Sequence, residues 1–471
     1  MMRRLGFYGV GLLGLIAATN AFADERPSEV TITWGNGSQQ ASWKLAVEAK
    51  GSSVATLQRE AIAKLFAFYD RDGNGLLEGN EAESIVSPFG LRQMPLGRML
   101  PSAIQPPARV DADGDGKLSQ AEFAAYYATS AHAGLWLACD QVPRTDALNE
   151  SLCRALRLSP GEVVDEVKMS NAANALAKLD ANGDELISPG EILTGHIYPG
   201  ITPTRLIPST EAEAKPLADL TVSSAATTDA TPQVDWLVQF TPDGASLSDR
   251  SPADEASGTK SLASRSPQVW VRLHAAPLDG TKAENALAAL ASQFTSTAGA
   301  DDQLPAKEVA GIQNQINMQN LVRLADVNRD EVLTRAEFEA WQEVARAYAR
   351  SVFVVTILDF EQNLFTALDE NFDGSLSTSE LAAAWPCFQA AGIVVEGRLA
   401  IDRLPKQLRI VVSQGPCQQL TDPGQTQGPT WFQALDRNGD GQISAAEFPG
   451  TADKFDRLDR NGDGVISLDD L

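Results

Sequence analysis

Apolar residues recur along this chain with two different periods. Phe66 and Tyr69, Leu176 and Leu179, Phe365 and Leu368, Phe432 and Leu435, and Phe455 and Leu458 each stand three apart, directly before a stretch dense in Asp, Asn and Gly. Positions three apart share one face of a helix, so each pair predicts the last turn of an amphipathic helix that stops where the polar stretch begins. Alternation with a period of two runs over Val30 to Trp34, Trp43 to Val47, Val234 to Phe240 and Val269 to Leu273. These four segments predict short strands, and Gly35-Asn36-Gly37-Ser38 between the first two predicts a hairpin. Pro208 to Pro232 and Pro242 to Pro267 show neither period and are rich in Ser, Ala, Thr, Pro and Asp, the composition of linker or disorder. The expected fold class is mainly α, with small β elements and a disordered linker.

The N-terminus changes the expected compartment. Arg3 and Arg4 precede an apolar run from Leu5 to Ala18, and Ala21-Phe22-Ala23 supplies a small-x-small cleavage site. This predicts a signal peptide over 1–23 and a secreted or periplasmic product. The apolar run is too short to span a bilayer, so no membrane anchor is expected after cleavage. The full chain carries 62 acidic and 38 basic side chains, a formal charge of −24, and loss of Arg3 and Arg4 takes this to −26. Such a surface repels nucleic acid and anionic lipid. Many of the acids fall at fixed spacings, which points to a cation as their target.

The polar stretches share one spacing. Calcium is a hard cation that takes about six to eight oxygens, and a 12-residue loop offers them from positions 1, 3, 5, 7, 9 and 12, with position 7 contributing its backbone carbonyl. The first loop places Asp70, Asp72, Asn74, Leu76, Glu78 and Glu81 there, and the second Asp111, Asp113, Asp115, Lys117, Ser119 and Glu122. The third has Asp180, Asn182, Asp184, Leu186, Ser188 and Glu191, and the fourth Asp326, Asn328, Asp330, Val332, Thr334 and Glu337. In the fifth stand Asp369, Asn371, Asp373, Ser375, Ser377 and Glu380, and in the sixth Asp436, Asn438, Asp440, Gln442, Ser444 and Glu447. The seventh offers Asp459, Asn461, Asp463, Val465, Ser467 and Asp470. Its terminal Asp is shorter than Glu and tends to bind through one oxygen, which weakens the preference for calcium over magnesium.

Position 6 needs a left-handed turn and is Gly at 75, 116, 374, 441 and 464, but Glu at 185 and 331. A side chain there costs about 1–2 kcal/mol, so the third and fourth loops are expected to bind more weakly. Position 8 is aliphatic in every loop, as Leu77, Leu118, Ile187, Leu333, Leu376, Ile443 and Ile466, which suits a short β-bridge between paired loops. Pro106 and Pro107 make the helix entering the second loop short or absent.

With these residues the chain resembles the calmodulin-like EF-hand superfamily, and more narrowly the secreted multi-EF-hand proteins of some bacteria. The resemblance implies calcium as the cofactor and loops that work in pairs. A degenerate, metal-free loop over Thr297 to Glu308, with Leu304 at position 8, would then partner the fourth. Loop starts at 70, 111 and 180 recur at 326, 369 and 436, offsets of 256, 258 and 256, which implies a tandem duplication. The expected division is a signal peptide over 1–23, a first module with the hairpin over 24–207, a linker with short strands over 208–280 and a second module over 281–471. Two cysteines in each half predict disulfides Cys139–Cys153 and Cys387–Cys417.

The expected function is that of a secreted calcium-binding protein whose fold the metal stabilises. Two alternatives involve a protein partner. The 23-residue step from Asp436 to Asp459 and the terminal Asp470 look like the paired loops of dockerin modules, an adhesion or scaffold role. Calcium-triggered partner binding through a Met-rich groove is disfavoured, because only Met94, Met99, Met169 and Met318 follow the signal. No HExxH, G-x-S-x-G, P-loop or Rossmann pattern is present, and His132, His196 and His274 read as packed or surface residues, so no enzymatic activity is expected. Trp136 and Trp385 read as core residues.

Overall fold

The computed structural model describes residues 28–35, 40–93, 110–128, 134–158, 166–167, 175–201, 217, 219–224, 234–241, 244–249, 261–266, 268–276, 280–298, 301–310, 316–390, 392–417, 420–421, 428–462 and 464–471. The signal over 1–23, Pro106 and Pro107, Met94, Met99, Met169, His132 and Asp463 lie outside them. Of the described residues 41% are helical and 25% extended, which overturns the expectation of a mainly α chain. The fold is mixed α/β, built on two large sheets.

The first sheet contains β1 (Ser28–Trp34), β2 (Ala41–Ala49), β7 (Leu220–Ser224), β8 (Trp236–Thr241) and β9 (Gly244–Asp249), in the order β7-β1-β2-β8-β9, with the two-residue β3 (Ser52–Ser53) beside β2. The second contains β6 (Leu135–Gln141), β10 (Ser261–Arg265), β11 (Val269–Ala275), β14 (Phe353–Asp359) and β17 (Lys406–Gln414), in the order β10-β11-β17-β14-β6. The expected hairpin is there, with Val30 opposite Leu45 and Ile32 opposite Trp43. The region 208–280, expected as a disordered linker with short strands, supplies β7 to β11 to the two sheets.

Alternate residues of both sheets meet in one core: Ile32, Leu45 and Val238 of the first join Val271, Val355 and Ile410 of the second, and Phe240 lies 5.2 Å from Phe353 between ring centroids. The other face of the second sheet is covered too. Val354 and Trp136 pack into the helical core above, and Leu358 and Val411 into a smaller cluster beside it. With both faces covered, every residue of β14 is buried, and its apolar residues, interrupted only by Thr356 before the terminal Asp359, stand on both faces. Trp136 is a core residue, and Trp385 packs half-buried against a core cluster, as read.

The helices carry the loops in pairs. β4 (Leu76–Leu77) pairs with β5 (Leu118–Ser119), joining the first loop to the second. β12 (Gln303–Pro305) pairs with β13 (Val332–Thr334), so the degenerate stretch around Leu304 does partner the fourth loop. Ile443 bridges Ile466, pairing the sixth with the seventh. The remaining bridge, Ile187 to Leu376, pairs the third loop with the fifth across the two halves of the chain. A further ribbon, β15 (Val394–Val395) with β16 (Arg398–Leu399), follows the fifth loop.

The first two pairs share one core, in which the Val54–Tyr69 helix packs on the Arg335–Ser351 helix. Both predicted disulfides fail: no disulfide joins any of the four cysteines. Cys139 packs against the intersheet core while Cys153 lies against the core of the third and fifth loops, and Cys417 is buried in another cluster while the Cys387 thiol donates to the Ala367 carbonyl at 3.2 Å. Burial pushes the Cys139 thiol up to about 12 and the Cys153 thiol to about 11, so both stay protonated.

Candidate metal centres

Several loops run between helix caps. Asp70, Asp369, Asp436 and Asp459, the first loop residues, are C-caps, where the apolar pairs three apart end. In the third, fourth and fifth loops the ninth residue caps the exiting helix. Thr334 and Ser377 accept from the backbone of Glu337 and Glu380, whose carboxylates reach back to the cap. The T/S-x-x-E spacing is thus a capping box as well as a ligand pair, and the helix start positions the closing glutamate.

The backbone donors converge identically in all seven loops. The position 6 N–H donates to the Oδ2 of position 1, at 3.0 Å for Gly75 to Asp70 and Gly116 to Asp111, 2.9 Å for Glu185 to Asp180, and 3.0 Å for Glu331 to Asp326. The remaining distances are 3.2 Å for Gly374 to Asp369, 3.0 Å for Gly441 to Asp436, and 2.9 Å for Gly464 to Asp459. The position 9 N–H donates to the closing carboxylate from Glu78, Ser119, Ser188, Thr334, Ser377, Ser444 and Ser467. In the first loop the oxygens of Asp70, Asp72 and Glu81 lie within 4.8 Å of one another, as do those of Asp111, Asp113 and Asp115 in the second, a spacing one calcium ion can bridge.

Glu185 and Glu331 adopt φ of 65° and 63°, the left-handed turn their glycine counterparts make, so both loops keep their geometry and carry the backbone strain. The structure adds a second such position. Position 4 is also left-handed, filled by glycine at 73, 114, 183, 439 and 462 but by Arg329 (φ 57°) in the fourth loop and Phe372 (φ 63°) in the fifth. Glycine in five of the seven loops was the signal.

Three first-position carboxylates turn an oxygen inward with no hydrogen-bond partner: Asp70, Asp326 and Asp369, each through Oδ1. A buried anionic oxygen without a donor is costly unless a cation meets it, so these residues fit a metal. Burial is extreme at the fifth loop, where Asp369 is fully buried and Glu380 nearly so. Burial, then Glu380 and Asp373, push the Asp369 carboxyl well above the usual range, opposed by Arg272 and Arg409. These arginines, which the sequence reading passed over, come from β11 and β17 and lie over the Phe372 ring at 4.4 and 4.7 Å.

The loops also touch across pairs. Asn438 of the sixth donates through Nδ2 to the Asp184 carbonyl of the third at 3.0 Å, and Gln442 donates to the Ser379 hydroxyl of the fifth. Burial pushes the Asp440 carboxyl up to about 7. The last pair carries three of the exposed large apolar residues, Trp431, Leu468 and Leu471. Among the described residues no helix is long and apolar enough to cross a membrane.

No curated protein and no solved structure matches the chain. A family model for the EF hand matches residues 108–125, 360–384, 430–448 and 452–471, the segments of the second, fifth, sixth and seventh loops, and assigns these four to the EF-hand superfamily.

Proposed function

We propose that this is an exported, non-catalytic calcium-binding protein in which metal at the loops completes the fold. The observation that carries the reading is the inward, unpartnered Oδ1 of Asp70, Asp326 and Asp369 inside loops with one shared donor pattern. Bound calcium would supply the positive charge these oxygens need. The chain's own residues do the rest: the capping boxes aim the closing carboxylates, and the position 8 bridges hold the loops two by two.

A ligand that binds only the folded state stabilises it by about 2.7 kcal/mol per site at a hundredfold excess over its dissociation constant. Chelation is therefore expected to lower the melting temperature, and calorimetry of Glu81→Gln and Glu380→Gln is expected to show one site fewer in each. An unchanged melting temperature would overturn the reading. Export rests on the Leu5 to Ala18 run and Ala21-Phe22-Ala23. Intact mass of the exported protein is expected to begin near Asp24, and a retained N-terminus would remove that part of the proposal.

A further inference from the structure

One arginine touches the closing carboxylates of two loops that belong to different pairs. Arg71, the second residue of the first loop, donates its backbone N–H to Glu81 Oε1 at 2.9 Å. Its guanidinium Nη2 donates to Glu337 Oε1, in the closing residue of the fourth loop, at 3.3 Å. The exchange is reciprocal. Arg329, fourth residue of the fourth loop, donates through Nη1 to Glu83 Oε2 at 2.6 Å, just past the end of the first loop.

This contact sets the fourth loop apart. In the other six loops one oxygen of the closing residue accepts the N–H of its own loop's second residue: Arg71, Ala112, Ala181, Glu370, Arg437 or Arg460. At the fourth loop the same oxygen of Glu337 meets a neighbour's cation. Its other oxygen keeps the ordinary donors, Thr334 N at 3.0 Å and Thr334 Oγ1 at 2.8 Å, so the carboxylate stands in its closing place. The Glu337 side chain is 11% exposed and that of Arg71 38%, so water screens the pair from the arginine's side only.

We propose that Arg71 is a built-in competitor for calcium at the fourth loop and sets the affinity of that site low. The proposal rests on the calcium reading above. Calcium needs both oxygens of the closing glutamate, and the guanidinium holds one of them. A positive charge at that distance also repels a divalent ion. In the metal-free state the same arginine offsets a carboxylate that shares its loop with Asp326, whose Oδ1 is buried without a donor. Arg71 therefore stabilises the empty loop and opposes the filled one, and both effects act in the same direction on affinity. The strain at Arg329 and Glu331 weakens the site by a separate route, through the backbone.

The test is calorimetric calcium titration of the full chain as wild type, Arg71→Gln, Glu337→Gln and the double variant, with Lys64→Gln as a control. Lys64 is an exposed lysine on the helix entering the first loop, and its loss changes net charge equally. Arg71→Gln is expected to tighten one site by about tenfold, within the usual range of coupling between sites. The gain should vanish in the double variant, and the melting temperature of the metal-free protein should fall in Arg71→Gln. An isotherm unmoved by Arg71→Gln, a gain that survives Glu337→Gln, or an equal gain from Lys64→Gln would overturn the proposal. A chain that loses sites with Glu81→Gln and Glu380→Gln yet ignores Arg71→Gln defeats this inference alone, whereas one that binds no calcium in any form defeats the calcium reading with it.

Discussion

At the second loop Asp113, Asp115 and Lys117 stand exposed, and Lys117 pairs across to Glu78 of the first loop at 2.9 Å in open water. At the fifth loop, with the same spacing and the same closing glutamate, Asp369, Phe372, Ser377 and Glu380 are buried against a sheet that offers two arginines. Burial acts to raise the Glu122 carboxyl of the second loop, but donors from Ser119, Ala112 and Asp113 outweigh it, and the carboxyl sits below the usual range. Burial raises the Glu380 carboxyl of the fifth loop, and there the donors do not prevail. One motif thus makes two electrostatic objects. The second loop can stand empty with its charges hydrated, whereas the fifth stores unfavourable charge that a cation or a proton relieves.

The largest effect that would break this contrast comes from removing a charge that holds each loop. Arg409 is 2% exposed, donates to the Phe372 carbonyl at 3.4 Å and lies beside Asp369. Arg409→Ala should destabilise the metal-free protein by about 3 kcal/mol, the range for uncovering buried charge, and calcium should recover much of the loss. The matching change at the second loop, Lys117→Ala, removes only an exposed pair and should cost far less. Denaturant unfolding with and without chelator measures both, and equal losses would erase the distinction.

A smaller effect sharpens it through pH. A carboxyl raised in the fold contributes stability that is present at low pH and lost as pH rises through its folded value, and a lowered one does the reverse. In the metal-free protein, hydrogen exchange corrected for its intrinsic rate should show the fifth loop gaining protection as pH falls from neutrality, because Asp369 and Glu380 are raised. The second loop should hold level down to the ordinary glutamate value of 4.5 and lose protection below it, because Glu122 is lowered. A common direction in both loops would count against the assigned environments.

Legibility followed the range of the interactions. The position 8 aliphatics and the helix turns before Asp70 or Asp369 are set by neighbours in sequence, and the structure reproduces each. The hairpin of β1 and β2 was readable because Val30, Ile32 and Trp34 alternate with polar residues that face away. β14 and β17 were missed for the opposite reason. Both faces of their sheet are covered, so Phe353–Asp359 does not alternate and carries no period to detect. Arg409 sat unnoticed in β17 because a buried arginine resembles a surface one until its neighbours are known. Nor could sequence say which loop pairs with which. Every position 8 is aliphatic, so Ile187 was as good a partner for a neighbouring loop as for Leu376.

That bridge from Ile187 to Leu376 governs when the molecule can be assembled during synthesis. A nascent chain that has just emitted the third loop has no partner for it until the fifth has followed, and β6 likewise waits for β14. Contacts of such long reach slow folding and leave strand edges open to aggregation meanwhile. The sixth and seventh loops, by contrast, pair with their immediate neighbours around Phe432, Ile443, Phe455 and Ile466. The sixth and seventh loops thus form the most local of the loop pairs, whereas β6 and the third loop wait for partners far along the chain.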